Sequence, residues 1–231
     1  MPLLVVVAHP DDEVLGCGGM GSVLAERGTA VTACILSASA GARTNRPEIP
    51  QFRANTLAAS GSLGFREPIL GDFPNLELNG VAHRELVKFI EHTITATGAT
   101  DILTHHPGDL NNDHLQTSRA CAAAARLFQR RPGVPRLRSL RFMEVLSATD
   151  WAFPGGGPAF SPDTFFEIEA CGLEKKVAAL RLYEGVMRDY PHPRSEEGIR
   201  ALAAHRGAQA GMRYAESFQT AFFTPGRDAF E

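Results

Sequence analysis

The chain has 231 residues and a formal net charge of −3, with 44% apolar and 21% charged residues. This length suits one large domain or two small ones, at roughly 100–200 residues each, and the composition is typical of a globular protein. The mild acidity excludes a strongly basic nucleic-acid-binding surface, and no apolar run reaches the about 18 residues that a membrane span needs. The short apolar N-terminus lacks the basic region of a signal peptide, so we expect a cytoplasmic protein.

The N-terminal segment predicts a βαβ unit. Residues 3–8 are a continuous apolar run rich in β-branched side chains, which is typical of a strand buried on both faces. A helix follows and ends at Gly28, and residues 30–36 predict a second strand. The crossover between these parallel strands should be right-handed. Residues 37–50 are small, polar and contain glycine and proline, which predicts a loop.

Strands and helices continue to alternate along the chain. Strands are predicted at residues 67–70, 101–104, 137–146 and 164–168, and helices at residues 51–63, 81–97, 115–131, 171–188 and 195–212. No repeat and no linker divides this pattern, so we expect a single α/β domain over residues 1–231, with a mostly parallel sheet flanked by helices. The last third departs from strict alternation and predicts an antiparallel edge.

The cysteines predict no disulfide. They lie far apart, form no Cys-x-x-Cys pair and have apolar or small neighbours; they are Cys17, Cys34, Cys121 and Cys171. We therefore expect free, buried thiols in a reducing compartment, without a metal role.

Two polar clusters each follow a predicted buried strand. The first is His-Pro-Asp-Asp-Glu at residues 9–13, and the second is His-His-Pro-Gly-Asp-Leu-Asn-Asn-Asp-His at residues 105–114. In an open α/β sheet, ligands bind beyond the carboxyl ends of the strands. Both clusters therefore lie where a site is expected. Taken singly, each cluster is also typical of a helix N-terminal cap with favourable dipole charges.

The residue types indicate metal chemistry. A histidine and a carboxylate on one turn, with a histidine from a second loop, can provide three ligands and leave one position open for water, as in catalytic zinc sites. Zinc lowers the pKa of a bound water to about 7 and polarises carbonyl oxygens. Of two adjacent aspartates, one can bind metal while the other accepts the water proton. This predicts a hydrolase of amides or esters built on His9, Asp11, Asp12 and His114.

Several alternatives stay open at this point. His105 and His106 are alternative ligands to His114, and Glu13 either orients a ligand or favours the helix start. Gly16, Gly18 and Gly21 satisfy the Gly-x-Gly-x-x-Gly spacing of nucleotide-binding loops, although the acidic cluster beside them would repel a pyrophosphate. A non-catalytic sugar- or metal-binding protein is a further alternative, but binding alone needs no base.

Residues 8–13, Ala-His-Pro-Asp-Asp-Glu, resemble the signature of the PIG-L/LmbE-like zinc de-N-acetylases, and residues 105–114 resemble their second motif. The resemblance continues over residues 144–154, 192–195, 206–207 and 214–218, so it covers nearly the whole chain in order, and it is nearest to the diacetylchitobiose deacetylase-like subgroup. It implies a Rossmann-like fold and hydrolysis of an N-acetyl group from an N-acetylglucosamine-type sugar. An amidase on the same scaffold that cleaves a larger acyl group or a thiol conjugate is the nearest alternative.

The resemblance also implies roles for individual residues. His9, Asp12 and His114 would bind Zn²⁺ or another divalent transition metal, and Asp11 would be the general base. Arg53 and Asp72 match positions that contact the sugar in relatives; without the resemblance, Arg53 is equally typical of a solvated arginine at a helix start.

One position departs from the family pattern. Some members carry, three residues before the second metal histidine, a histidine thought to stabilise the oxyanion; this chain has Asn111 there, which can donate a hydrogen bond but carries no charge. In the diacetylchitobiose deacetylase-like subgroup, the histidine of the His-Pro-Arg-Ser motif reaches the site of a neighbouring subunit. By that resemblance His192 would be the missing electrophile, supplied in trans within a homo-oligomer such as a trimer or hexamer. The alternative for His192 is a turn histidine between two prolines.

Overall fold

The computed structural model describes residues 1–37, 49–153 and 157–225. Within these ranges the chain forms seven strands: β1 Leu3–Val7, β2 Val31–Ile35, β3 Ile69–Leu70, β4 Asp101–His105, β5 Ser139–Met143, β6 Thr164–Glu167 and β7 Ala215–Phe223. The helices are α1 Asp12–Glu26, α2 Ile49–Ser62, α3 His83–Thr97, α4 Asn112–Ala124, α5 Glu169–Arg181 and α6 Glu196–Ala210, with 3₁₀ turns at Leu78–Gly80 and Leu127–Gln129. None of the helices in these ranges is long and apolar enough to cross a membrane.

The strands form one sheet in the order β3-β2-β1-β4-β5-β7-β6. The first five are parallel, and β7 runs antiparallel to β5 on one side and to β6 on the other. The predicted mostly parallel α/β sheet with an antiparallel part is thereby confirmed. Strand order reverses between β1 and β4, because β2 and β3 are added on one side of β1 and β4 on the other. This switch point opens a crevice at the carboxyl ends of β1 and β4.

Apolar side chains fill both faces of the sheet. In β1, Leu3, Val5 and Val7 belong to one core, while Leu4 and Val6 belong to the other. Helices α1 and α5 cover the first face, and α3 and α4 cover the second. A strand buried on both faces reads as a continuous apolar run, which explains the N-terminal pattern.

Some predicted elements differ from the observed ones. The helix predicted at residues 115–131 begins earlier, at Asn112, because the Asn111 side chain accepts a hydrogen bond from the Asp113 amide and caps it. It ends at Ala124 and is followed by the 3₁₀ turn Leu127–Gln129. Strand β7 was not predicted. Most of the loop predicted at residues 37–50, and part of the loop predicted at 152–162, lie outside the described residues.

The cysteine prediction is confirmed in part. All four thiols are free, and Cys17, Cys34 and Cys121 are buried. Cys171, in the first turn of α5, is exposed, so the prediction that it is buried is wrong. An apolar or small neighbourhood in the sequence does not tell which side of a helix faces the core.

The helix α1 is kinked, and a distant carboxylate stabilises the kink. Cys17 has non-helical dihedrals, φ −151° and ψ 20°. Beyond it, the amides of Gly19 and Met20 donate to the carboxylate of Glu216 in β7, at 3.1 and 2.6 Å. Lys176 of α5 donates to the same carboxylate at 2.6 Å. The kink thus separates a short first turn, which begins at the site, from the longer second part that packs on α5.

Candidate metal centre

The turn after β1 has a strained backbone that turns Asp11 and Asp12 toward the crevice. Asp11 has φ 103° and ψ −31°, which costs a non-glycine residue about 1–3 kcal/mol. Its amide donates to Glu13 Oε2 at 3.1 Å, and the Tyr183 hydroxyl donates to Glu13 Oε1 at 2.5 Å. Glu13 is fully buried. These contacts hold the turn that carries Asp12, so of the two roles left open for Glu13 they favour the one in which it orients a ligand.

Three buried side chains converge on one point beyond the ends of β1 and β4. Asp12 Oδ2 lies 3.3 Å from His9 Nδ1 and 3.2 Å from His114 Nε2. One ligand atom from each of the three residues lies within 4.8 Å of the others. His9 comes from the turn after β1, and His114 from the first turn of α4. Two imidazole nitrogens and one carboxylate oxygen form a donor set that suits zinc and related divalent metals.

A carboxylate lies next to the ring nitrogen of each histidine that faces away from Asp12. Asp113 Oδ2 lies 3.1 Å from His9 Nε2, and Asp109 Oδ2 lies 3.1 Å from His114 Nδ1. Asp113 accepts a hydrogen bond from His9 Nε2, and the charge of Asp109 beside His114 Nδ1 favours a proton on that nitrogen. In the neutral rings, the lone pairs of His9 Nδ1 and His114 Nε2 therefore face Asp12. Metal-binding histidines usually have such a carboxylate on the other ring nitrogen, which fixes the tautomer and the ring orientation.

The two supporting carboxylates are themselves held by hydrogen bonds. Asp113 accepts the amides of Leu76, at 2.7 Å, and Leu78, at 3.1 Å. Asp109 accepts the Thr149 hydroxyl at 3.0 Å. These bonds come from segments of the chain outside the two ligand-bearing turns, so the ligands are fixed by the fold and not by their own turns alone.

The electrostatics of the cluster favour a bound cation. Burial alone would lower the pKa of His114, but the charges of Asp12 and Asp109 outweigh it and raise this pKa to about 10. Burial would likewise raise the pKa of Asp12, and the His114 charge holds it well below its usual range. Without a metal, the cluster therefore keeps a proton on His114. The residues present thus fit a divalent metal in both donor type and charge.

The structure distinguishes the three histidines of the second cluster. His105 Nε2 accepts the Ala8 amide at 2.9 Å, which places its proton on Nδ1 and leaves no lone pair there for a metal. Burial lowers the pKa of His105 to about 3, so the ring is neutral. The alternative grouping of His105 with Asp109 and His114 would need that missing lone pair. His106 packs edge-on between two phenylalanine rings, Phe142 and Phe160. The geometry therefore favours His114.

A cavity of about 270 Å³ opens directly over the cluster. His9, Asp12 and His114 form part of its lining, residues 145–148 form a mostly apolar wall, and Leu110 and Trp151 also line it. Asp11 lines the same cavity. Within the described residues its side chain makes no capping hydrogen bond to α1, so capping does not explain its position. Arg194 also lines the cavity, and its Nη1 lies 3.7 Å from Asp11 Oδ2.

Of the remaining predicted residues, only some line the cavity in the part of the chain that the structure describes. Asn111 lines it, with its side-chain oxygen accepting the Asp113 amide at 2.9 Å. His192 is not among the described residues that line it; His192 Nδ1 accepts the Arg194 amide at 3.0 Å, and its ring lies 5.5 Å from Trp151.

In the part of the chain that the structure describes, Arg53 of α2 and Asp72 after β3 are exposed and do not line the cavity. The segment 38–48, between β2 and α2, lies outside that part. The roles of Arg53, Asp72, Asn111 and His192 stay predictions.

Three residues of the site were missed by sequence analysis: Asp109, Asp113 and Arg194. The first two carried a usable signal, because metal-binding histidines are normally paired with a carboxylate and both aspartates stand in the same cluster as His114. Arg194 is two positions from His192 in the same motif, and no local pattern tells which of the two faces the cavity.

An open α/β sheet with a buried His/Asp cluster at its switch point defines a class of proteins with a polar cluster beyond the strand ends that could hold a metal. The chain belongs to the PIG-L family, whose model, described as GlcNAc-PI de-N-acetylase, matches residues 4–125, more than half of the chain. The predicted family is thereby confirmed. The search of curated proteins found no match.

Solved structures share the fold over almost the whole chain. The conserved protein TT1542 from Thermus thermophilus is 24% identical to this chain. The match covers 98% of this chain and 97% of that protein, with a TM-score of 0.79. N,N'-diacetylchitobiose deacetylase from Pyrococcus horikoshii is 18% identical, with coverages of 98% and 88% and a TM-score of 0.78. The 4-carboxy-2-hydroxymuconate hydratase from Pseudomonas putida is 22% identical, with coverages of 98% and 98% and a TM-score of 0.73. A deacetylase and a hydratase thus share this fold, so the fold alone does not determine the reaction.

Proposed function

We propose that the protein is a zinc-dependent de-N-acetylase that hydrolyses the N-acetyl group of an N-acetylglucosamine-type sugar and releases acetate. One observation carries this proposal: the Asp11 carboxylate lies in the same cavity as three converging metal-ligand atoms. A purely structural or storage metal site needs ligands only. A carboxylate beside them that is neither ligand nor helix cap has the position of a general base.

The metal would be held by His9, Asp12 and His114. A divalent metal in such a set supplies Lewis acidity, which polarises a carbonyl and acidifies a water. Zinc is the proposed metal because two imidazoles and one carboxylate form one of its usual catalytic ligand sets. Other divalent transition metals accept the same ligands, so metal analysis of the protein as purified tests this point.

Asp11 performs the proton transfers. Water adds to the acetamide carbonyl carbon, and Asp11 accepts the proton that this water loses. The C–N bond then breaks, and the same proton passes to the leaving amine. The products are a free amine and acetic acid, which ionises to acetate and gives its remaining proton to the solvent. The Glu13 contact at the Asp11 amide fixes the backbone from which the base projects into the cavity.

The substrate class rests on the family and on the size of the cavity. The family description names an N-acetylglucosamine-bearing substrate, and the Pyrococcus relative is named for an N-acetylated disaccharide. A cavity of about 270 Å³ is near the low end of the ~300–1,000 Å³ of small-molecule sites, which suits one sugar ring. Asn111 in the cavity wall, and Arg53 and Asp72 by family resemblance, are the proposed sugar contacts.

Acetate release from a panel of N-acetylated sugars tests the proposal, with metal content measured on the same sample. We expect acetate and a stoichiometric free amine. Release of a larger acid from N-acyl analogues, but not acetate, would favour the amidase alternative, and binding without any product would favour a non-catalytic protein.

Asp11→Asn should keep its metal and lose nearly all turnover, whereas His114→Ala should lose the metal. An Asp11→Asn variant with wild-type turnover would contradict the assigned base.

Two further proposals concern compartment and assembly. The four free thiols support a reducing, cytoplasmic location. A homo-oligomer, either a trimer or a hexamer, is proposed from the family resemblance alone, and light scattering after size exclusion measures it. With that assembly, a neighbouring subunit's His192 would reach the site. His192→Ala with unchanged turnover would exclude this role.

A further inference from the structure

Arg194 is a cation placed inside the candidate active site by its own chain. Its side chain is 14% exposed, and it lines the cavity together with the metal-ligand cluster. Nη1 lies 3.7 Å from Asp11 Oδ2, which is a loose ion pair. Nε is buried, and among residues 1–37, 49–153 and 157–225 it has no hydrogen-bond partner. Buried guanidinium N–H groups are normally satisfied, so this arginine has donor capacity to spare.

The backbone at Arg194 is fixed on both sides. Its amide donates to His192 Nδ1 at 3.0 Å, and its carbonyl accepts the Arg188 amide at 3.2 Å. The next residue, Ser195, is buried and caps α6 by accepting the Gly198 amide at 3.0 Å. The backbone that carries the guanidinium is thus fixed, and the mostly buried side chain lies beside Asp11, so charge that develops nearby meets a donor already in the cavity.

The proposed reaction places a negative charge in this cavity. When water adds to the acetamide carbonyl, a new C–O bond forms and the carbonyl π pair moves onto oxygen. The Asn111 oxygen caps α4, and its side-chain amide can donate a hydrogen bond to an oxyanion but has no charge with which to balance it. His192 does not line the cavity within the described residues. In the part of the chain that the structure describes, Arg194 is therefore the only lysine or arginine that lines the cavity beside the base.

We propose that Arg194 stabilises the oxyanion of the acetamide carbonyl, from within the same subunit. This rests on the proposed function. Guanidinium N–H groups share the negative charge while the tetrahedral carbon exists, and they release it when the C–N bond breaks and the carbonyl of acetate re-forms. The arginine of the His-Pro-Arg-Ser motif then has the role for which His192 of a neighbouring subunit was predicted.

A purely supportive role toward Asp11 is the competing explanation for the same 3.7 Å contact. The two roles differ in their dependence on pH. If Arg194 only keeps Asp11 ionised, then the loss in a neutral variant should vanish once the pH is high enough to ionise Asp11 without help. If Arg194 binds the oxyanion, the loss in kcat should persist on that plateau, with KM little changed, because the interaction forms only in the transition state.

The test compares Arg194→Ala, Arg194→Lys and wild type for kcat, KM and metal content across pH. Removal of one oxyanion donor should lower kcat by about 10²–10³-fold with full metal content, and lysine should retain an intermediate rate. Added guanidinium should restore part of the Arg194→Ala rate, whereas urea, which is neutral and of similar shape, should not. Arg188→Ala, an exposed arginine of the same loop, is the matched control and should behave as wild type.

Three outcomes would overturn the inference: wild-type kcat in Arg194→Ala, loss of its metal, or recovery of its rate at high pH. A circular dichroism spectrum and melting temperature like those of the wild type exclude misfolding, and Arg194→Lys provides the same comparison if the alanine variant is unstable. Acetate release by the wild type is measured first. Its absence refutes the proposed function and with it this inference, whereas wild-type release with an unaffected Arg194→Ala refutes the inference alone.

Discussion

Asp113 orients His9, and removing its carboxylate should weaken metal binding. Asp113 is 1% exposed, and its Oδ2 lies 3.1 Å from His9 Nε2. In Asp113→Ala, His9 loses the acceptor that keeps the proton on Nε2, so the tautomer with a proton on Nδ1, the metal-facing nitrogen, becomes accessible. Loss of such a partner weakens metal affinity by about 10–100-fold, or about 1.4–2.8 kcal/mol at 1.4 kcal/mol per factor of ten.

The same substitution has a second cost that must be separated from the first. The amides of Leu76 and Leu78 lose their acceptor, and the one at Leu78 is buried, where an unsatisfied donor costs about 1–3 kcal/mol. That cost appears in the metal-free protein, so urea unfolding of both metal-free proteins measures it alone. Competition with a chromophoric chelator then gives the zinc Kd of the folded proteins. Asp189→Ala, which removes an exposed aspartate outside the ligand cluster, is the control. An Asp113→Ala protein with the wild-type zinc Kd would refute the assigned role of Asp113.

Three other predictions concern the fold and the cluster. Glu216→Ala should destabilise the protein by about 3–5 kcal/mol in urea, because it strands the buried Lys176 charge and the Met20 amide; a loss under about 1 kcal/mol would contradict this. Gly61→Ala should stabilise it by about 0.5–1 kcal/mol, because the residue is exposed in α2 and an added Cβ meets nothing within 4 Å; a lower melting temperature would contradict it. Zinc binding near pH 7 should release a proton, seen by calorimetry in buffers of different ionisation enthalpy, because His114 in the metal-free protein has a pKa of about 10. Since this pKa is raised from 6.5, the proton stabilises the metal-free protein fully below about pH 6.5, and the contribution is lost as the pH rises through about 10.

Sequence patterns predicted the parts of the fold whose packing is local and periodic. The run at residues 3–8 is apolar at every position because β1 packs against a core on each face of the sheet. That property can be recognised from the sequence alone. The start of α4 depends instead on a side chain that bonds to the backbone two residues later, Asn111 to the Asp113 amide, which apolar periodicity does not register. The pattern therefore placed the helix start three residues late.

Strand β7 escaped prediction because its burial is uneven. Residues 215–218 are buried, while the strand becomes exposed toward Phe223, so neither an alternating nor a continuous apolar pattern results. Its pairing with β5 and β6 is set by the sheet as a whole. Strand propensity depends strongly on such neighbours, and a local window does not contain them.

The choice of metal histidine also required three dimensions. His105 and His114 both belong to the cluster at the end of β4, and their ring centroids lie 3.7 Å apart in a stacked arrangement. Their positions alone therefore do not show which of them binds the metal. They differ because the amide of Ala8, 97 residues before His105, donates a hydrogen bond to His105 Nε2 and so occupies its lone pair. The two strand-end clusters were predicted because they follow recognisable strands, whereas the hydrogen bonds between the clusters were not.

The carboxylate that stabilises the kink of α1 comes from the far end of the described chain. All three proposed metal ligands lie within the first 114 residues, yet Glu216, more than a hundred residues later, holds the two amides beyond Cys17. A nascent chain that ends after α4 therefore contains the proposed ligands but lacks the acceptor for these two amides, which is present only once β7 has been synthesised.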